Sequence, residues 1–312
     1  MRRRSSLPYF VLLGGVLIAS TAAIMITLAQ NAGAHPLSIA AGRITFAAVV
    51  LTPIAWYRGG AEIRSVGRRD LWLALLSGAF LAVHFAAWIS SLAYTSVASS
   101  TALVTTNPIF VALVSFVLWR ERISRRAVLG IGMTIFGSLL IAISDSGGGS
   151  GSNPLLGDVL ALIGALSGTG YFLIGRELRR RLGILPYIWL VYSAAAMLLL
   201  LWMGLAGQSL LGLSPRTYLL LLGLALGPQL LGHTSFNWAV KYLSATFVTV
   251  AILGEPIGST IFALLIFPNQ DLRLLQVAGG VALLIGIVVA TLAERQARPL
   301  ERLPEAEGAV AP

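Results

Sequence analysis

The chain has 312 residues, of which 57% are hydrophobic and only 11% charged. A soluble domain carries roughly a quarter charged residues, so this chain has too little polar surface for a water-exposed globule and reads as a polytopic membrane protein. It contains no cysteine, which excludes disulfides, thiolate metal sites and cysteine nucleophiles, and its net charge of +10 has to be explained by where the basic residues fall.

About 20 apolar residues cross about 30 Å of hydrocarbon. Ten stretches meet that length: 8–30, 36–57, 70–93, 97–119, 125–144, 155–176, 185–206, 216–239, 243–267 and 272–293. They are too long and too uniformly apolar for barrel strands. The first follows a basic start, as a signal peptide would, but its apolar run is longer than an h-region and no clean cleavage site follows, so it reads as a span.

Span two carries Arg43, an arginine about 10 Å from the outer face by helical rise. It either pairs with a buried acid or snorkels to the interface. Span three places His84, Trp88 and Ser91 at i, i+4 and i+7, a column on one helical face. Such a column either holds an amphipathic solute or forms a helix contact with Trp88 in the interfacial belt. Span four opens SVASSTALVTTNP, ending in Thr106, Asn107 and Pro108. Span six carries Tyr171 at mid-depth, with Gly164 and Gly168 at helix-contact spacing. His233, toward the cytoplasmic end of span eight, reads as structural. Span nine contains VAILGEPIGST, with Glu255 and Pro256 in mid-membrane. A proline there frees a backbone carbonyl and kinks the helix, and freed backbone at that depth is tolerated where it lines a cavity. Pro108 and Pro256 are therefore candidate hinges. Asp145, Asp158 and Asp271 fall in outer loops.

The basic residues cluster in alternate loops, including Arg58 to Arg69, Arg120 to Arg126 and Arg176 to Arg181, while the intervening loops hold only Arg216 and Arg273. Short basic loops stay in the cytoplasm, so both termini are expected there. The positive charge then faces the anionic leaflet, with no nucleic-acid partner required. Trp56, Trp72, Trp119, Trp189 and Trp238 fall near inner span ends and Trp202 near an outer one, as interfacial anchors do. The WRERISRR segment (119–126) reads as an ordinary cytoplasmic salt-bridge cluster or as part of an inner gate.

The Gly/Ser stretch SDSGGGSGSNP at 144–154 divides the spans five and five. This gives a cytoplasmic N-terminus at 1–7, halves at 8–144 and 155–293, a flexible linker at 145–154 and a disordered tail at 294–312. TTNPIFVALVSFVL (105–118) aligns with LGEPIGSTIFALLI (253–266), placing Pro108 on Pro256 and Tyr94 on Tyr242. Five spans per copy would force the second copy to insert inverted, and the alternation of basic loops agrees. The expected fold is therefore all-α, ten transmembrane helices in two inverted five-helix repeats.

AAGRITFAAVV (40–50), NPIFVALVSFVLWRER (107–122) and GEPIGST (254–260), in this order and spacing, resemble the drug/metabolite transporter superfamily in its EamA-type branch, over about residues 8–293. Within that branch the chain is similar to YddG-type amino-acid exporters of bacterial inner membranes. The resemblance implies a secondary transporter working by alternating access, with amino acids as leading substrates and cationic drugs or nucleosides as the alternative. Arg43, His84, Trp88, Thr106, Asn107, Tyr171 and Glu255 are the candidate substrate-binding residues. No metal or cofactor is expected. Glu255 or His84 could carry a coupled proton, whereas facilitated diffusion needs neither. A primary pump is disfavoured by the absence of G-x-x-x-x-G-K-[ST]. An intramembrane enzyme lacks a paired acid or a nucleophile-and-base arrangement, a channel lacks a charged ring or filter repeat, and a scaffold would have no use for central polar kinks.

Overall fold

The computed structural model describes residues 6–107, 109–110, 113–114, 117, 124–146, 151–239, 251–267 and 272–297. Pro108, most of WRERISRR, Tyr242, Asp271 and residues 298–312 lie outside them. Every regular element among the described residues is helical. These are α1 (Leu7–Asn31), α2 (Pro36–Arg64), α3 (Arg68–Ser91), α4 (Val97–Val104), α5 (Arg125–Ser146), α6 (Pro154–Leu178) and α7 (Ile184–Leu205). They are followed by α8 (Pro215–Leu224), a π-helical segment Ala225–His233, α9 (Thr234–Ala239), α10 (Gly254–Ile266) and α11 (Leu274–Ala297). Six stretches of 22 to 29 residues are long and apolar enough to cross a membrane, among them all of α1 to α3.

Their boundaries follow from local chemistry. Proline opens α1, α2, α6 and α8 within the first two positions, where its missing N–H would be unpaired anyway. Ser96, Asn153 and Ser214 cap α4, α6 and α8 through their side chains. Large apolar side chains such as Phe10, Leu205 and Leu274 remain exposed around the outside, as expected where lipid is the solvent.

Five segments follow the 144–154 linker, matching the five before it. Helices at equivalent places in the two halves pack on each other, α2 along α7 and α5 along α11. The α5–α11 contact is very close. A Cβ on Gly137 would lie 2.5 Å from the Gly279 carbonyl oxygen, and one on Gly286 would lie 2.7 Å from the Gly130 oxygen. Gly130 thus meets Gly286 and Gly137 meets Gly279, so the two helices run antiparallel. Glycine at these four places lets backbone touch backbone, the usual device for binding helices where lipid competes equally for apolar side chains.

Three readings of the sequence change. Asp158 is not in an open loop. It lies in the first turns of α6, 4% exposed, and accepts a 3.1 Å hydrogen bond from Thr95 Oγ1, because α6 begins at Pro154. The end of the Gly/Ser stretch is also held, since the Asn153 amide donates to the Tyr94 carbonyl at 3.3 Å. The last helix reaches Ala297, past the expected start of the tail.

A buried charged cluster at two helix breaks

The helical backbone is interrupted near both candidate hinges, just before Asn107 and at Leu253. Helix α4 ends at Val104, Thr105 and Thr106 form a turn, and helical backbone resumes at Asn107. In the second half, helical Ala251 and Ile252 are followed by a turn at Leu253, and α10 begins at Gly254. Asn107 and Glu255 therefore each open a resumed helix. For Glu255 this answers much of the cost of its position. A carboxylate in the first turn of α10 sits at the positive end of the helix dipole, and Pro256 falls where a missing N–H breaks no bond.

Arg43 is the most enclosed of the candidates. It is 0% exposed, so it does not snorkel. Its Nε donates to Gln229 Oε1 at 3.1 Å, and its guanidinium lies 4.3 Å from the Phe85 ring centroid and 5.9 Å from that of Trp88. Placing an arginine in mid-membrane costs about 3 kcal/mol on insertion scales. A hydrogen bond from a charged donor returns about 1.5–3 kcal/mol and a desolvated cation–π contact about 2 kcal/mol. Burial is thus roughly offset, yet Nη1 and Nη2 have no hydrogen-bond partner. Those two groups carry all but one of the guanidinium's donors. Glu255 lies within electrostatic reach of Arg43, but the two do not form an ion pair within 4.0 Å. The ion pairs among the described residues are Arg180–Glu177, Arg181–Asp70 and Arg181–Glu177.

Around this pair, α3 supplies His84 and Trp88. The His84 Nδ1 is 2.8 Å from the Gly164 carbonyl. A carbonyl only accepts, so Nδ1 carries the proton, and in the neutral ring Nε2 is the acceptor. The His84 and Trp88 rings stack at 6.1 Å, and Trp88 is 8% exposed with no partner for its Nε1. Gly168 lets α6 lie against both His84 and Asn107, since a Cβ there would meet their side chains at 3.0 and 3.1 Å. The orientation of the Asn107 amide that satisfies both its atoms donates to the Ala165 and Val104 carbonyls at 2.7 and 2.9 Å.

Two candidates are otherwise engaged. The Thr106 hydroxyl donates to the Leu103 carbonyl of its own helix at 2.8 Å. Tyr171 shares a hydroxyl network with Tyr187. Three residues in the cluster were not among the sequence candidates. Gln229, 1% exposed, sits in the π-helical segment just after Pro228, and single-turn π distortions recur at functional sites. Tyr192 is 0% exposed, with its hydroxyl beside Gln229. His233 reads as structural from sequence, but its ring centroid is 6.5 Å from that of Phe85 and it lies within electrostatic reach of Arg43 and His84.

The arrangement is thus a polar and aromatic cluster in which Arg43 and Tyr192 are closed from water while His84, Asn107, His233 and Glu255 are half-buried, with the two interrupted helices α4 and α10 packed on each other. Comparison with known proteins agrees on the class. The model of the EamA-like transporter family matches the chain twice, over residues 6–143 and 155–292, and the chain belongs to that family of transporters. The two matched segments lie at an offset of 149 residues, so the halves are two copies of one unit. An uncharacterised transporter of Archaeoglobus fulgidus is 24% identical over 89% of this chain and 96% of its own length. The uncharacterised transporter YdfC of Bacillus subtilis is 24% identical over 59% of each chain, so less than two thirds of its length is matched. A solved crystal structure with 20% identity superposes on 93% of this chain and 98% of its own, at a TM-score of 0.62. That likeness speaks for the fold alone.

Proposed function

We propose that this protein is a secondary carrier, rather than an enzyme, that moves small amphipathic solutes across the bacterial inner membrane by alternating access. Amino acids are its leading substrates, as in YddG-type exporters. The observation that carries this reading is the pair of helix breaks at Asn107 and Glu255, equivalent places in the two copies, beside a buried and incompletely bonded cation. Interrupted helices at the repeat interface are the usual frame of a transport site. The antiparallel packing of α5 on α11 supports an inverted repeat, since equivalent helices then cross the bilayer in opposite directions. Rocking of one copy on the other would open the cluster to each side in turn. An amino acid's zwitterionic head suits a site with Arg43 at one pole and Glu255 at the other.

Counterflow in proteoliposomes tests the substrate class. Vesicles loaded with one amino acid should take up its labelled form faster than empty ones, saturably, and other amino acids should compete. Exchange of cationic drugs or nucleosides but of no amino acid would reassign the substrate.

A further inference from the structure

We propose that Arg43 is the specificity-determining anchor for a carboxylate, so that the transported solutes are those bearing one. The inference rests on the carrier reading and narrows it.

The geometry is particular. Gln229 holds the guanidinium by Nε alone, which leaves the end-on edge of the guanidinium for a second acceptor. The Nη1 and Nη2 edge, the fork that fits two carboxylate oxygens side by side, has no hydrogen-bond partner although it is sealed from water. Buried polar groups are normally satisfied, so a fully buried fork left open is a site awaiting an acceptor. Glu255 does not fill it, remaining beyond ion-pair distance, and the Tyr192 hydroxyl, also completely buried, makes no hydrogen bond to it. The acceptor that completes the fork therefore comes from outside the chain. Phe85 and Trp88 pack on the guanidinium and give the same locus apolar walls, so the body attached to the carboxylate is apolar or aromatic. Because Arg43 is 0% exposed in this conformation, the anion reaches it only when the helices around the breaks part.

The test compares ligands that differ only at the carboxylate, using purified full-length protein in nanodiscs. Thermal stabilisation is measured with phenylalanine, 3-phenylpropanoate, phenylalaninamide and phenethylamine. Phenylalanine and 3-phenylpropanoate should stabilise the protein, with affinity about tenfold or more above the two compounds lacking a carboxylate. Arg43→Gln should erase that difference. Arg43→Lys, which keeps the charge but loses the fork, should shrink it, and serves if the Gln variant fails to fold. Equal binding of all four ligands, no binding of any carboxylate, or a carboxylate preference unchanged in a folded Arg43 variant would overturn the proposal. Counterflow separates the two levels. Exchange of carboxylate-free solutes would leave a carrier standing while this inference falls, whereas carboxylate-dependent binding without exchange would count against the carrier itself.

Discussion

Gln229 is the residue that makes a buried arginine tolerable. Its amide oxygen accepts the only hydrogen bond that the Arg43 side chain makes. Gln229→Leu should therefore destabilise the protein by about 1.5–3 kcal/mol, the usual loss for a bond to a charged group, seen as a lower unfolding temperature in detergent. An unchanged midpoint would show that the aromatic faces alone carry the charge. Glu255→Gln keeps the shape and removes the charge opposite Arg43. It should fold normally and lose most transport, and wild-type transport of every substrate by this variant would remove Glu255 from the site. Part of this was legible. Arg43, His84, Trp88 and Glu255 stand out as polar groups in apolar runs, and the structure gathers them. Tyr192 and His233 needed the repeat to be read more closely. At an offset of 149 residues, Arg43 falls on Tyr192 and His84 on His233, and an offset of 148 puts Asn107 on Glu255. Arg43 and Tyr192, and Asn107 and Glu255, have diverged in chemistry, so identity matching passes over them although their positions correspond, whereas His84 and His233 are a retained identity. Which of the gathered side chains spend their polar atoms locally, as Thr106 does on the Leu103 carbonyl, depends on rotamers that spacing does not fix.

At the scale of the element, the α5–α11 contact has no room. A Cβ on Gly137 would press on the Gly279 oxygen and the Leu283 amide nitrogen, both at 2.5 Å. These are backbone atoms that cannot turn aside, so Gly137→Ala should lower the unfolding temperature sharply or prevent folding. Gly132→Ala, on the same helix with nothing within 4 Å, should leave stability unchanged or raise it by up to about 1 kcal/mol through helix propensity. Equal effects of the two would contradict the close backbone contact. The breaks at Thr105–Thr106 and Leu253, by contrast, each end one helix and start another, with Thr106 and Leu253 buried. The prolines announced them, but as kinks. The sequence pattern does not show that Glu255 would open a fresh helix, since the apolar run continues on both sides and a turn of one or two residues leaves no mark in hydropathy. The π-helical stretch is equally silent in periodicity. Only the Pro228–Gln229 pair, a proline followed by an amide inside a span, hinted at it.

For the whole molecule, span positions were the most legible feature. Crossing the bilayer forces about 20 apolar residues into each helix, and α1, α3, α5, α6, α7 and α11 begin and end within a few residues of the apolar runs, α2 extending further into its basic loop. The charge rule proposes the side of each loop, and on that proposal reporters fused to either terminus should both be active in the cytoplasm. A terminus reporting from the outside would overturn the orientation. How the helices pack on one another was not legible, because it depends on contacts between helices far apart in the chain, such as α1 with α10 and α3 with α6. The central claim is that the cluster at the two breaks faces each side of the membrane in turn. The chain has no cysteine, so a single introduced thiol reports without background. Thr106→Cys suits this, because the native hydroxyl bonds only its own helix and the position is 3% exposed. The measurement is its labelling by a membrane-impermeant thiol reagent in right-side-out and in inverted vesicles. Labelling from both faces, slowed from both by a transported solute, is the predicted result. Labelling from one face only, whatever solute is present, would contradict alternating access at this site.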